Sequence, residues 1–224
     1  EAYNINGIVY KKDGRAIRTG KREYIKNLDE IPFPARDLLL PLEYYSSSAI
    51  AYKRVPNTII FTSRGCPYQC IFCASHTDRL VRFFSLDYVL AEVDYLVKKY
   101  KIRESTIQDD TFTVRKDRVL EFCRRLKNKN YDLIWTANIR ANLVDKEILT
   151  AMKEAGCYMV MPGVESGSED ILKLIKKEIT LKQVEQMSDW CKQLGLLIKP
   201  SFIISHPGET LATIEETIDF AKNL

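Results

Sequence analysis

Three cysteines within eight residues constrain this chain more than any other feature of its sequence. Cys66, Cys70 and Cys73 are separated by three and then two residues, in a segment that also contains Gly65 and Pro67. The segment directly follows a short apolar run that favours a β-strand. Thiolates are soft ligands that suit iron–sulfur clusters and zinc. Glycine and proline let a loop wrap closely around an inorganic group. The spacing therefore predicts a metal- or cluster-binding loop at the end of a strand.

The residues alone leave two other roles possible for these cysteines, a disulfide and a zinc site. A disulfide would leave one cysteine over, and the N-terminal residues have neither the basic nor the apolar part of a secretory leader. Zinc is the second alternative, because His76 follows Cys73 by three residues and completes a formal set of three cysteines and one histidine. Structural zinc sites usually combine ligands from two separated turns, whereas here all four would come from one loop. A non-enzymatic zinc module is therefore the main alternative to a cluster.

The remaining composition indicates a cytoplasmic globular protein. Cys123, Cys157 and Cys191 occupy apolar, periodic positions, so we expect them in the core. Hydrophobic residues make up 46% of the chain and charged residues 29%, which is ordinary for a globular protein. A net charge of +4 over 224 residues is too small to indicate nucleic acid, and no apolar run has the length of a membrane helix. We expect reduced thiols, no nucleic-acid partner and no membrane span.

A strand–helix rhythm begins near residue 57 and predicts an α/β fold. Amphipathic stretches typical of helices follow the apolar runs, and Thr180 with Gln183 forms a predicted capping box at the start of one of them. Strands joined by helices imply a parallel sheet with right-handed crossovers. The predicted strands cover about residues 57–63, 105–108, 133–138, 158–161 and 198–205.

The N-terminal residues predict a different organisation. Residues 5–19 read as a hairpin around Asp13-Gly14, a strong tight-turn signal. Residues 28–41 contain three prolines and are predicted to form an extended connector that docks on the main body. We therefore divide the chain into a hairpin and connector, residues 1–55, and a core, residues 56–224. The chain starts without methionine and stops within a helical pattern, so we expect a fragment of a longer protein.

Polar and small residues gather just after each predicted strand. In βα barrels the carboxyl ends of the strands line the active site. We therefore expect these segments to converge on one mouth. They are the cysteine loop at 66–73, then residues 109–112, 138–140, 163–168 and 205–209.

Between about residues 57 and 224 the chain resembles the radical S-adenosylmethionine (SAM) superfamily. Within it the sequence looks most like the cobalamin-binding branch, which includes the anaerobic magnesium-protoporphyrin ester cyclase type and many methyltransferases. The resemblance implies a partial (βα)6 TIM-like barrel whose sixth strand would follow Leu224. In that branch a cobalamin domain precedes the connector. The segments that carry the resemblance are residues 31–37, 62–67, 109–112, 140–145, 163–168 and 207–210.

The resemblance implies that Cys66, Cys70 and Cys73 bind three irons of a [4Fe-4S] cluster, while SAM binds the fourth through its amino and carboxylate groups. Reduction by an external donor of the flavodoxin or ferredoxin type would cleave SAM to methionine and a 5′-deoxyadenosyl radical, which abstracts hydrogen from a small-molecule substrate. Methylation or cyclisation in a cobalamin-dependent parent is the implied outcome. The alternative within the superfamily is a methylthiotransferase, which would need a second cysteine-rich domain.

The resemblance also implies contacts to SAM from the first three strand ends. Phe72 would flank the adenine, through its backbone. Asp109 and Asp110 would meet the SAM amino group, although aspartates at such turns also cap loops. Arg140 would hold the SAM carboxylate bidentately, with a surface salt bridge as the alternative. Asn138 would add a polar contact.

The last two strand ends complete the implied SAM site. Glu165 would accept hydrogen bonds from both ribose hydroxyls, assisted by Ser166, unless it caps the following helix. Ile203 and Ser205 would lie beside the adenine. Ser205 departs from the family pattern, because glycine is usual there and a side chain would crowd the adenine. We interpret His206 as structural or exposed, not catalytic.

Overall fold

Ten strands and six helices make up the regular structure of the computed structural model, which describes residues 4–45, 52–74 and 79–224. The strands are β1 (Val9–Lys12), β2 (Arg15–Arg18), β3 (Asn57–Ile60), β4 (Ser63–Arg64), β5 (Arg82–Phe83), β6 (Glu104–Ile107), β7 (Ile134–Ile139), β8 (Cys157–Glu165), β9 (Leu197–Ile198) and β10 (Ser201–Phe202). The helices are α1 (Leu86–Tyr100), α2 (Lys116–Asn128), α3 (Lys146–Glu154), α4 (Glu169–Leu174), α5 (Leu181–Leu194) and α6 (Leu211–Asn223).

The predicted α/β class is confirmed by a parallel sheet in the order β10-β8-β7-β6-β3, with β9 also pairing with β8. Two predicted strands are interrupted. The one at 57–63 divides into β3 and β4, and β4 leaves the main sheet to pair antiparallel with β5. The one at 198–205 divides into β9 and β10 around Pro200, which has no N–H to donate to the sheet.

Helices α1 and α5 begin at the capping residues that the sequence predicts. The Ser85 side chain accepts a hydrogen bond from the Tyr88 N–H at the start of α1. Thr180 and Gln183 form both bonds of the predicted capping box, and Gly195 ends α5 with a left-handed φ of +62°. No helix in the described part of the chain is both long and apolar enough to cross a membrane.

Aromatic packing fills the core between the sheet and α2. Phe112, Phe122 and Trp135 meet edge to face with ring centroids 5.7–5.8 Å apart. The three scattered cysteines are buried, as predicted. Burial raises the pKa of Cys123 to about 12 and that of Cys191 to about 11. These thiols therefore stay protonated at neutral pH and are not thiolate ligands.

The N-terminal hairpin and the connector are both present. Asp13 and Gly14 have left-handed φ values of +49° and +80° in the turn between β1 and β2. In the connector, buried Arg36 pairs with Glu92 of α1 at 2.8 Å and donates to the Ile59 carbonyl at 2.9 Å. The connector is therefore docked on the first strand and helix of the core. The domain boundary at residue 55 stays a prediction.

Candidate functional site

The strand ends open into one cavity of about 380 Å³, which we call the cysteine cavity. Side chains from four of the five predicted polar segments line it. The last strand contributes residues 199–201 instead of the predicted 205–209. The lining residues are Cys66, Cys70, Phe72, Cys73, Asp110, Thr111, Asn138, Ile139, Arg140, Met161, Gly163, Glu165, Lys177, Lys199, Pro200 and Ser201.

Backbone hydrogen bonds shape the cysteine loop. Gly65 has a φ of +96° and donates its N–H to Asp110 Oδ2 at 3.1 Å. The Cys73 N–H donates to the Cys70 carbonyl at 3.1 Å, which closes a turn between the second and third cysteines. The Sγ of Cys66 lies 3.5 Å from a threonine hydroxyl of the segment after β6. The loop is thus tied to the neighbouring strand end before any ligand binds.

The thiol arrangement fits a cluster. None of the six cysteines, all of which are described, forms a disulfide. Among the described residues no three His, Cys, Asp or Glu side chains lie close enough to share one metal ion. Cys66, Cys70 and Cys73 all line the one cavity, as the ligands of three irons of one cluster must. His76, the fourth ligand of the zinc alternative, lies outside the described residues.

Arg140 is buried beside the cysteine loop. Its Nη1 lies 3.6 Å from the Sγ of Cys70, its Nη2 donates to the Lys177 carbonyl, and its guanidinium lies 3.5 Å from the ring centroid of Tyr68. Arg140 is only 4% exposed, so the surface salt-bridge alternative is wrong. A cation at this position stabilises thiolate charge. The implied bidentate contact to the SAM carboxylate stays a prediction.

The two aspartates after β6 have different surroundings. Asp110 lines the cavity. Asp109 does not, and its carboxylate accepts four hydrogen bonds, from the N–H and the hydroxyl of both Thr62 and Ser63, at 2.5–3.1 Å. Burial raises the pKa of Asp109, although these hydrogen bonds act in the opposite direction. The geometry is that of a carboxylate that fixes the segment entering the cysteine loop. The sequence alternative, a cap on the loop that follows β6, did not predict this role.

Glu165 and Lys177 form a buried ion pair at the end of β8. Glu165 Oε1 and Lys177 Nζ are 2.8 Å apart, with side-chain exposures of 9% and 7%. Glu165 has a left-handed φ of +75°, which is uncommon outside glycine. A Cβ on Gly163 would lie 2.4 Å from Glu165 Oε1, so only glycine leaves room for the carboxylate. Glu165 therefore faces the cavity with a cation beside it and does not cap α4.

Three other predicted site residues lie outside the cavity lining. Ser166 is fully buried, with its Oγ 3.0 Å from the hydroxyl of Thr217. Ile203 donates its N–H to the Glu165 carbonyl at 2.9 Å. Ser205 is exposed and has a φ of +75°. Their implied contacts to SAM stay predictions.

Phe72 and Asn138 line the cavity, and His206 lies behind Phe72. The rings of Phe72 and His206 are 5.5 Å apart. His206 is 5% exposed and, among the described residues, no partner lies within hydrogen-bond distance of its Nε2. It is therefore buried and not exposed. Asn138 donates to the Asp109 carbonyl at 3.4 Å.

Sequence reasoning missed Lys177, Lys199 and Tyr68. Lys177 belongs to a run, Lys176-Lys177-Glu178, that looks like an ordinary solvated helix end. Both its neighbours adopt left-handed φ values of +54°, and this irregular backbone turns Lys177 inward. No periodic pattern in the sequence encodes that turn. A cation shortly after the predicted ribose-binding glutamate was the only available signal.

We expect Ser205→Gly to raise the free energy of unfolding by about 0.5–1 kcal/mol, because a left-handed φ strains serine more than glycine. Urea denaturation of the two proteins measures the difference. Ser201→Gly is the matched control. Ser201 lies in β10 with no left-handed φ, so that change should be destabilising. If both glycine variants lose stability equally, the φ of Ser205 is not strained.

Comparison with known proteins agrees with this geometry. The family model "Radical SAM superfamily" matches residues 60–221. An uncharacterized methyltransferase of Pyrococcus horikoshii is 39% identical over all of this chain and 48% of its own length. The anaerobic magnesium-protoporphyrin IX monomethyl ester cyclase of Rubrivivax gelatinosus is 28% identical over 98% of this chain and 39% of its own length. The chain thus spans about half or less of the length of these relatives.

A solved structure shows the same fold. The cobalamin-dependent SAM radical enzyme OxsB, with aqua-cobalamin bound, superposes with a TM-score of 0.80 at 24% identity. The superposition covers 96% of this chain and 32% of OxsB. The matched family model spans most of the described core, including the cysteine loop and every strand end that lines the cavity. The chain belongs to the radical SAM superfamily.

Proposed function

We propose that this chain is the core of an enzyme that cleaves SAM reductively at a [4Fe-4S] cluster. The observation that carries the proposal is the lining of the cysteine cavity. Three thiols line it together with Asp110, Arg140 and the Glu165–Lys177 ion pair. Cys66, Cys70 and Cys73 would hold the cluster, which, once reduced by an external donor, would supply the electron for cleavage of the SAM sulfonium bond to methionine and a 5′-deoxyadenosyl radical. The chain's own residues bind and orient both groups.

The charges of the cavity suit the charges of SAM. The methionine part of SAM carries an ammonium and a carboxylate, and the cavity offers Asp110 as an acceptor for the first and Arg140 as a donor to the second. Glu165 is the acceptor for the ribose hydroxyls, held in place by Lys177. Arg140, beside Cys70, stabilises the negative charge of the thiolates. Phe72, which lines the same cavity, would flank the adenine.

The wider role that we propose is methylation or cyclisation of a small molecule in a longer, cobalamin-dependent cytoplasmic protein. The names of the methyltransferase and cyclase relatives support it, as does the fold shared with OxsB. Residues 1–55 would then link an upstream domain to the core at 56–224. The electron donor would be of the flavodoxin or ferredoxin type.

The test is SAM cleavage by the purified chain after anaerobic reconstitution with iron and sulfide. With dithionite and SAM we expect 5′-deoxyadenosine and methionine in equal amounts, measured by liquid chromatography. Samples without dithionite or without SAM are the controls. SAM should also change the electron paramagnetic resonance spectrum of the reduced cluster. A cluster-loaded sample that shows neither product nor spectral change would contradict the proposal. Roughly one tight zinc per chain without sulfide would favour the zinc module.

A further inference from the structure

A cavity of about 800 Å³ lies between residues 21–26 and the segment of Leu80 and Arg82, and four of its seven lining residues are cations. We call it the basic pocket. Lys21, Arg22 and Lys26, which lie between the hairpin and the connector, and Arg82 of β5 line it together with one carboxylate, Glu23. Like charges repel unless an anion or solvent lies between them. The function proposed above uses none of these residues.

Two contacts hold the Arg82 side chain in the basic pocket. Its Nη1 donates to the Ile25 carbonyl at 2.7 Å, and its guanidinium lies 4.7 Å from the ring centroid of Tyr24. These two contacts fix the guanidinium plane. The Nε of Arg82 is buried and has no hydrogen-bond partner among the described residues. Because this Nε is not accessible from the pocket, Arg82 would attract an anion through the charge of its guanidinium.

The remaining lining is apolar and aromatic. Tyr24 and Leu80 contribute it, and Leu80 is 44% exposed. A site that binds only a free inorganic anion needs no such surface. Cations beside an aromatic ring and an exposed leucine suit a molecule that carries an oxyanion on an apolar body.

Shared residues connect the basic pocket to the cysteine cavity. Arg82 also lines a second cavity of about 450 Å³, together with Arg64 and Asp110. Asp110 in turn lines the cysteine cavity. Arg82 and Asp110 are thus shared walls between neighbouring cavities, which places the basic pocket near the cysteine cavity.

We infer that the basic pocket anchors the anionic group, a carboxylate or a phosphate, of the organic substrate on which this core acts. The inference rests on the proposed function, because it takes the cysteine cavity as the place of reaction. The anionic end of the substrate binds Arg82, Arg22 and Lys26, and its apolar body lies along Tyr24 and Leu80. A single anionic anchor leaves the opposite end of the molecule available to the cysteine cavity.

Isothermal titration of the 224-residue chain with phenyl phosphate, benzoate and benzyl alcohol tests the inference. We expect saturable binding of at least one of the two anions and none of the neutral alcohol. The stronger of phenyl phosphate and benzoate identifies the oxyanion. Lys26→Glu should weaken binding about fivefold, and salt at about 0.5 M should weaken it further, because both changes reduce the attraction between exposed charges. Arg22→Glu is the second variant.

Lys182→Glu is the matched control, since Lys182 is an exposed lysine of α5 that lines none of these cavities. Unchanged thermal unfolding of Lys26→Glu shows that the variant is folded. The inference is overturned if neither anion binds, if benzyl alcohol binds equally well, or if Lys182→Glu weakens binding as much as Lys26→Glu. If neither anion binds, an acidic protein surface becomes the alternative partner of the basic pocket. The titration needs neither cluster nor SAM, so anion binding without SAM cleavage would contradict the proposed function and leave the basic pocket as an anion site without its role in that reaction.

Discussion

Replacing Cys70 by alanine is expected to abolish cluster binding and, with it, all formation of 5′-deoxyadenosine. Cys70 is the middle one of the three cysteines that we propose as cluster ligands, and its Sγ lies beside Arg140. A cluster bound by two remaining thiolates loses a third of its protein ligands, and thiolates bind iron far better than water does. Iron and sulfide should fall from about four each per reconstituted chain, as the cluster's formula requires, to background. Colorimetric iron and sulfide assays measure this change.

Cys191→Ala is the matched control for this experiment. Cys191 is fully buried in α5, and burial raises its pKa to about 11, so it is a packed thiol and not a ligand. That variant should keep full iron and sulfide content and lose only a little stability from the small cavity it creates. The cluster assignment would fail if Cys70→Ala retained the wild-type iron, or if Cys191→Ala lost it.

The second large effect is expected at Asp109, where alanine and asparagine should differ sharply. Asp109→Ala removes the acceptor for two backbone N–H groups and two hydroxyls, of Thr62 and Ser63. Buried donors left without partners make this change cost about 3 kcal/mol. Asparagine keeps an oxygen for the two N–H groups, and its NH2 can donate to the two hydroxyl oxygens. Asp109→Asn should therefore cost less than about 1 kcal/mol.

Urea denaturation of the three proteins tests this, together with SAM affinity of the reconstituted samples. The structural role predicts that Asp109→Asn binds SAM like the wild type. A direct contact between the Asp109 carboxylate and the SAM ammonium predicts instead a large loss of affinity in Asp109→Asn with little loss of stability. The two measurements therefore separate the implied SAM contact from the role seen in the structure.

The pH dependence of stability gives an independent check on Asp109. Burial raises its pKa in the folded state, whereas the unfolded value is about 4. The folded protein therefore binds this proton more tightly than the unfolded chain does. The free energy of unfolding should fall as the pH rises through the folded pKa of Asp109. In Asp109→Asn this contribution is absent, so the difference between the two proteins should change in that pH range.

Local sequence signals located most elements of this fold. Ser85 and the Thr180–Gln183 box predicted where helices begin, because capping depends on residues three apart in the chain. Asp13-Gly14 predicted the hairpin turn, because that turn requires left-handed φ values. The division of the last strand was missed, although Pro200 is visible in the sequence. A proline interrupts a strand where the sheet needs an N–H donor at that position. The neighbouring strand decides this, and it is not visible in the local sequence.

The polar site residues were harder to interpret. Asp109 and Asp110 are adjacent and chemically identical, yet only Asp110 lines the cavity. Lys177 looked solvated and is buried against Glu165. The direction of such side chains depends on partners far away in the chain, such as Thr62 for Asp109. No local pattern encodes these partners.

The sequence by itself determined the superfamily, the α/β class and the three cysteines that the cluster needs, since spacing and periodicity are properties of short segments. Only the tertiary structure brought Arg140 to Cys70 and Lys177 to Glu165. It alone also placed the basic pocket near the cysteine cavity. Arg140 and Cys70 are 70 residues apart in the sequence, and Lys177 and Glu165 are 12 apart. The parallel sheet brings such residues together because its crossovers place all strand ends on one edge.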